Sequence, residues 1–176
     1  MVDGREIPMK KGGLFDLAAL EKSGENKAIE EALIFHYNPE SVSTSKTVNW
    51  NSIQIPGGND TLMQFASGTS LTIPLVLFLN DFGETSKRSK NVETAIAFLH
   101  RYTRTDSGVK IQGGRKAPGV LKLVIGAMRF DDQAAPGVDV VITSLSVNRT
   151  AMTHDGRAVR ATANIELTKY VRRFPR

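Results

Sequence analysis

Three histidines, His36, His100 and His154, are the side chains in this sequence best suited to carry a proton or hold a metal near neutral pH. Either job needs a second histidine or a carboxylate at a ligand-like interval. No such companion is present: His36 falls in an apolar run, His100 in a helical one and His154 in a turn. Asp131 and Asp132 are adjacent, and adjacent side chains on an extended backbone point apart, so the pair suits an exposed turn better than acid–base work. Gly57-Gly58 and Ser67-Gly68-Thr69 lack the G-x-x-x-x-G-K-[ST] spacing of a phosphate loop, and no helix follows them at once. Gly113-Gly114-Arg115-Lys116 could meet phosphate, although such loops are more often solvated connections. There is no cysteine, which removes thiol catalysis, disulfides and Cys-based zinc sites. The sequence therefore holds no constellation for catalysis, and neither a cofactor nor a metal is expected.

The 176 residues fit one domain with a real core, and 40% hydrophobic with 23% charged residues is ordinary for a globular chain. No apolar run approaches the roughly 20 residues that span a bilayer. The first residues, MVDGREIPMKKGG, lack the apolar region of a signal peptide, so assembly in the cytoplasm, without a membrane partner, is expected. The net charge is +5 and the pI near 9.6. From Arg157 onward, Arg157, Arg160, Lys169, Arg172, Arg173 and Arg176 face a single acid, Glu166. A basic end of this kind suits phosphates or an acidic protein neighbour. The aromatics that would let a basic sheet face stack on bases are few: Tyr170 and Phe174.

The elements that must position these residues are mostly strands. Ser144 to Val171 reads as two long strands joined at Thr153-His154-Asp155-Gly156, because Asp-Gly between alternating runs signals a hairpin. Its second arm directs Val159, Ala161, Ala163, Ile165, Leu167 and Val171 one way. Arg160, Thr162, Asn164, Glu166, Thr168 and Tyr170 go the other way.

Upstream, Met1 to Lys27 is expected to be irregular, with two turns of helix over Leu14 to Glu21. The first strand is expected at Ala32 to Tyr37, ended by Asn38-Pro39, and a polar extended stretch at Ser41 to Gln54. Trp50, the only tryptophan, is there a core anchor or an interface hot spot. Leu71 to Leu79 is apolar throughout and suits a strand covered on both faces, with Pro74 restricting it to an edge or bulge. Asn91 to Thr103 predicts the one firm helix, capped by Ser89 or Asn91. Val120 to Ile125 and Val138 to Ile142 complete a mainly β fold, an antiparallel β-barrel or sandwich with one packed α-helix and a long C-terminal β-hairpin. The expected layout is an arm over 1–30, a β-barrel domain over 31–171 and a basic tail over 172–176.

Several segments, in order, resemble the tube-type proteins of contractile injection systems and contractile phage tails. Phe35-His36-Tyr37-Asn38-Pro39 is similar to that family's "F-x-Y-N-P" turn, Ile55-Pro56-Gly57 to its Pro-Gly loop, and Leu62 to Gly68 to its "l-x-F-x-x-G" segment. Leu71 to Asp81 resembles its "l-x-l-x-L-f-x-D" strand, Val92 to Tyr102 its helix, and Pro118 to Gly126 its "P-P-x-l-x-f-x-W-G" strand, with Ile125 in place of Trp. Asp155-Gly156 with Val159-Arg160-Ala161-Thr162 resembles its "D-G-x-P-x-R-A-x" turn, with Ala158 in place of Pro. The narrower likeness is to baseplate hub or tube-initiator proteins. Those often carry a LysM module, and none is found in these 176 residues.

The resemblance implies a structural role. It implies a homohexameric ring around a channel, joined to the tail tube protein on one side and to spike or hub and baseplate wedge proteins on the other. DNA or cargo would pass through. Thr153, His154, Asp155, Gly156, Arg157 and Arg160 at the hairpin tip, Arg172, Arg173 and Arg176 at the end, and Asn49 with Trp50 on the polar strand are the expected subunit contacts. Arg160, Thr162, Asn164 and Thr168 are the expected channel-facing residues. The alternative is a small basic nucleic-acid-binding β-barrel, whose binding would weaken steeply with salt.

Overall fold

The structure is a computed structural model and describes residues 12–23, 32–57, 60–81, 91–105, 117–130 and 136–171. In chain order its elements are β1 (Gly13–Asp16), α1 (Leu17–Ser23), β2 (Leu33–Ile34), β3 (Val48–Gln54), β4 (Thr61–Gly68), β5 (Thr72–Asn80), α2 (Val92–Arg101), β6 (Leu121–Val124), β7 (Val138–Met152) and β8 (Ala158–Lys169). Six strands form one antiparallel sheet in the order β2-β1-β6-β7-β8-β5, and β3 with β4 forms a separate two-stranded sheet. The expected mainly β, antiparallel class holds. The sheet stays open between its edges β2 and β5, so the barrel alternative gives way to an open layer with α2 packed on one face.

The core follows from period-two burial. Ile73, Leu75, Leu77 and Leu79 of β5 and Ala161, Ala163, Ile165 and Leu167 of β8 are all buried. They lie in register, Leu75 opposite Ile165 and Leu77 opposite Ala163. Onto this surface α2 sets Val92, Ala95, Ile96 and Leu99. Asn91 caps the helix, its Oδ1 accepting from the N–H of Thr94 at 2.8 Å. At the other end the Tyr102 hydroxyl donates to Oδ2 of Asp16 at 2.7 Å, tying α2 to β1.

Several expectations are corrected. Leu14 to Asp16 is strand and the helix starts only at Leu17. β1 lies between β2 and β6, and Leu14 and Phe15 are fully buried. The glycine before it is a packing residue: a Cβ on Gly12 would come within 2.9 Å of the Phe35 ring. The strand expected at Ala32 to Tyr37 is only Leu33–Ile34. β7 runs unbroken from Val138, joining two expected strands across a bulge between Ile142 and Ser144. Further bulges near Ala151 and Met152 shift the frame of β8, so Ala158 is buried where Val159 was expected, and Val171 is exposed. β5 is an edge strand, as Pro74 requires, but it is covered on one face only: Val76 and Phe78 are 44% and 46% exposed. Ser89, the loop over 106–116 with Gly113 to Lys116, and Asp131-Asp132 lie outside the described residues.

One-sided burial gives a direct test. In urea unfolding of the isolated subunit, Leu77→Ala is expected to cost about 2–5 kcal/mol, as for a buried leucine. Its neighbour Val76→Ala is expected to stay within about 0.5 kcal/mol, as for a surface change.

Candidate assembly surfaces

The β7–β8 ribbon ends in a tight turn. The N–H of Thr153 donates to the carbonyl of Arg157 at 2.9 Å, and the N–H of Gly156 to the carbonyl of Thr153 at 2.9 Å. Gly156 sits at φ 77°, a left-handed conformation that favours glycine. The Thr153 hydroxyl accepts from the N–H of Arg157 at 3.2 Å. His154 Nε2 and Asp155 Oδ1 lie 2.8 Å apart on an open surface. The expected tip residues are thus brought together, by their own backbone, in a projecting polar turn.

Glu93 anchors the base of that turn, a role that sequence reasoning missed. Its Oε1 accepts from the N–H of Ala158 at 3.0 Å and lies 3.7 Å from Nε of Arg149. Ala158 is fully buried, so its N–H has no access to water. The sequence showed Glu93 only as an acid in the first turn of a helix, where it favours the dipole.

The second surface is the β3–β4 hairpin. Every residue of both strands is exposed. Trp50 settles as a surface residue: it is 53% exposed and meets Phe65 edge to face, ring centroids 5.7 Å apart. Asn49 donates from Nδ2 to the Ser67 hydroxyl at 3.2 Å across the pair. Neither strand carries a charged side chain, and between Thr47 and Asn80 the only charge is Asp60. Leu62, Met63 and Phe65 on β4 were not among the expected contacts. That charge-free run was the signal for them.

The third surface is the face of the large sheet turned away from α2. Ser144 pairs with Glu166, Ser146 with Asn164 and Asn148 with Thr162, in a polar field on β7 and β8. Thr162, Asn164 and Thr168 lie on this face, as does Arg160 at its end, opposite Asn80 of β5. The charged residues among the described part of that face on β7 and β8 are Glu166, Arg160 and, at its far end, Asp139 beside Lys122 of β6. Arg172, Arg173 and Arg176 lie outside the described residues.

These surfaces occupy opposite ends. β5 runs antiparallel to β8, with Thr72 opposite Thr168 and Asn80 opposite Arg160. The hairpin leaves at the Thr72 end, where Ser45 and Thr72 exchange both backbone hydrogen bonds at 2.9 Å. The ribbon tip lies beyond the Arg160 end, so roughly 27 Å of strand separates the two projections at about 3.4 Å per residue. Arg157 and Trp50 therefore lie on separate projections. Among the described residues no group of three or more His, Asp or Glu is placed to hold a metal.

The Glu93 anchor is tested by two substitutions. Glu93→Ala leaves the buried Ala158 N–H without its partner and is expected to destabilise the subunit by about 1–3 kcal/mol in urea unfolding. Arg149→Ala removes only a half-exposed ion pair and is expected to cost under about 1 kcal/mol.

No curated protein matches the chain. The family of contractile injection system tube proteins matches residues 15–174, which takes in both projections and all of the large sheet except the first two residues of β1. An open mainly β subunit with exposed strands at either end suits a part that is completed by its neighbours, and the chain belongs to that family: it is a structural component of the tube of an injection particle, assembling with itself and with other tail parts.

Proposed function

We propose that this protein forms a six-membered ring at the baseplate end of the inner tube, as tube initiator or as adaptor between tube and spike. The observation that carries this reading is the pair of unlike projections at opposite ends of one sheet. One is a hairpin whose strands carry no charge and expose Trp50, Leu62, Met63 and Phe65; the other is a polar turn with His154, Asp155 and Arg157. A subunit with two different patches makes heterologous contacts, and these close into a ring when the rotation allows. Two chemically distinct ends also suit a ring with tube protein above it and spike, hub or baseplate wedge proteins below. The likeness of Phe35 to Pro39 and of the Asp155-Gly156 turn to hub and initiator proteins supports the baseplate position.

In this ring the polar sheet face lines the channel. Thr162, Asn164 and Thr168 offer hydrogen bonds without strong charge, and Glu166 offsets Arg160. DNA or protein cargo would pass such a wall without being held by it, since tight phosphate binding needs clustered basic groups. The basic stretch 172–176 serves as a further subunit contact, and assembly takes place in the cytoplasm of the bacterial cell.

Trp50→Asp and Phe65→Asp test the reading. Both positions are more than half exposed, so the subunit is expected to keep its melting temperature within a few degrees. Rings in negative-stain images, and the ring peak in size exclusion, are expected to disappear. A wild-type chain that stays monomeric with tube and spike partners present overturns the ring; rings that tolerate both substitutions overturn the hairpin as its contact.

A further inference from the structure

The helix α2 has a second face. Val92, Ala95, Ile96 and Leu99 pack down onto the sheet, while Glu93, Ala97, His100 and Arg101 recur at helical spacing on the other side. The stripe runs on past the end of the helix. The N–H of Thr103 donates to the His100 carbonyl and the N–H of Arg104 to the Arg101 carbonyl, both at 3.2 Å. This tightened turn carries Arg104 onto the same side. Arg149 of β7 pairs with Ala161, which is buried beneath α2, so its side chain rises beside the helix. Between helix and ribbon lies a groove of about 610 Å³, with Ile96 and Ala97 as its apolar part.

The charge of this groove is lopsided. Three arginines and a histidine line it against one acid, Glu93, a net charge of +2 with His100 counted as neutral. That acid is already engaged: its Oε1 accepts from the N–H of Ala158 at 3.0 Å and lies 3.7 Å from Nε of Arg149. Two of the guanidinium groups are braced. Glu93 holds Arg149, and the guanidinium carbon of Arg101 lies 5.9 Å from the centroid of the Tyr102 ring, itself tied to Asp16. Cations held in place lose little freedom when they meet an anion. A guanidinium takes a carboxylate through two parallel hydrogen bonds, and the short side chain of Ala97 leaves room for a segment to lie between them.

A second copy of this chain is a poor source of that anion. The chain is +5 overall, and the acids among its described residues stand singly along the sequence. Nucleic acid fits no better, since no aromatic side chain lines the groove for a base to stack on. The tube role supplies another candidate, the other tail parts with which the chain assembles. We propose that the groove between α2 and Arg149 binds an acidic segment of a different protein of the injection particle, its carboxylates paired with Arg101, Arg104 and Arg149. The groove is separate from the hairpin, the ribbon tip and the polar sheet face, and on the ring reading above it faces outward.

The isolated full-length subunit carries the whole groove, so the test is independent of ring closure. The probe is a fluorescent deca-glutamate peptide followed by anisotropy, with deca-glutamine as the uncharged comparison and a short DNA duplex as the phosphate comparison. Deca-glutamate is expected to bind and deca-glutamine is not. Arg101→Gln with Arg104→Gln should weaken binding at least about tenfold, for two lost charge-assisted pairs. Both side chains are exposed, so the melting temperature should stay within a few degrees. Where the pair does destabilise the fold, Arg104→Gln alone, beyond the end of α2, is expected to give about a threefold loss. Arg129→Gln, exposed outside the groove, should leave affinity within about twofold. Deca-glutamate that does not bind, or that binds the substituted subunits as well as the parent, overturns the proposal. Duplex binding as tight as that of the peptide, and lost with the same arginines, overturns the assignment to a protein carboxylate in favour of phosphate.

Discussion

One helix cannot cover both faces of six strands. α2 has 10 residues and is therefore about 15 Å long, while five inter-strand gaps of about 4.8 Å make the sheet about 24 Å wide. The helix buries the middle of one face, and Val92, Ala95, Ile96 and Leu99 saturate that contact. On the opposite face a small cluster of Phe15, Ala32 and Val124 with Leu20 of α1 covers the β1 side. Among the described residues, the outer surface of β5, β7 and β8 is approached only at its edge, by the segment from Pro39 to Ser43. The sheet and hairpin surfaces argued above as contacts are consequences of this shortfall.

The shortfall is handled differently along the chain. On β7 and β8 the uncovered face is Ser, Thr and Asn, which water satisfies. On β5 and the hairpin it is Val, Phe, Trp, Leu and Met, which water does not. A two-stranded hairpin packed on nothing is marginally stable by itself. Its edge-to-face pair, Trp50 on Phe65, adds about 0.5–1.5 kcal/mol at most. A self-sufficient monomer would not spend its only tryptophan there. For a tube protein, which meets copies of itself, the same composition is consistent: interface cores are depleted in charge and rich in aromatics and Met.

How much of this was legible in the sequence depended on whether one residue type dominated one face. The ribbon was plain because Ala161 to Leu167 alternates without interruption and Asp155-Gly156 fixes the turn. Its upper end was misread because bulges add Thr150 to β7 and Val159 to β8, and no side-chain pattern announces a bulge. β1 was hidden by Gly12 and Gly13, which look like loop residues and are small because Phe35 and the Leu33 carbonyl crowd them. LTIPLVLFL gave the strand, with an edge as one alternative to a bulge or an irregular spot, but not its bare face, since an apolar run reads the same whether its cover comes from its own chain or from a neighbour. Trp50 was undecidable for the same reason. Glu93 was visible only as an acid in the first turn of a helix, because its partner, the Ala158 N–H, is 65 residues away.

That last ambiguity is itself informative. Hydrophobicity records that a side chain is buried in the working state, not which molecule buries it. In a monomer the two coincide, and apolar runs map onto the internal core. Here they part over one continuous stretch, β3 through β5, where the pattern demands burial and the isolated subunit does not provide it. The mismatch is not scattered, as it would be for incidental surface leucines. It is concentrated in one hairpin and one strand edge that join at Thr72, with Met128, Met152, Tyr170 and Val171 exposed singly elsewhere. On a member of a tube family, localised unmet burial is the kind of surface that a neighbouring subunit would cover, and the polar remainder is the kind that water satisfies.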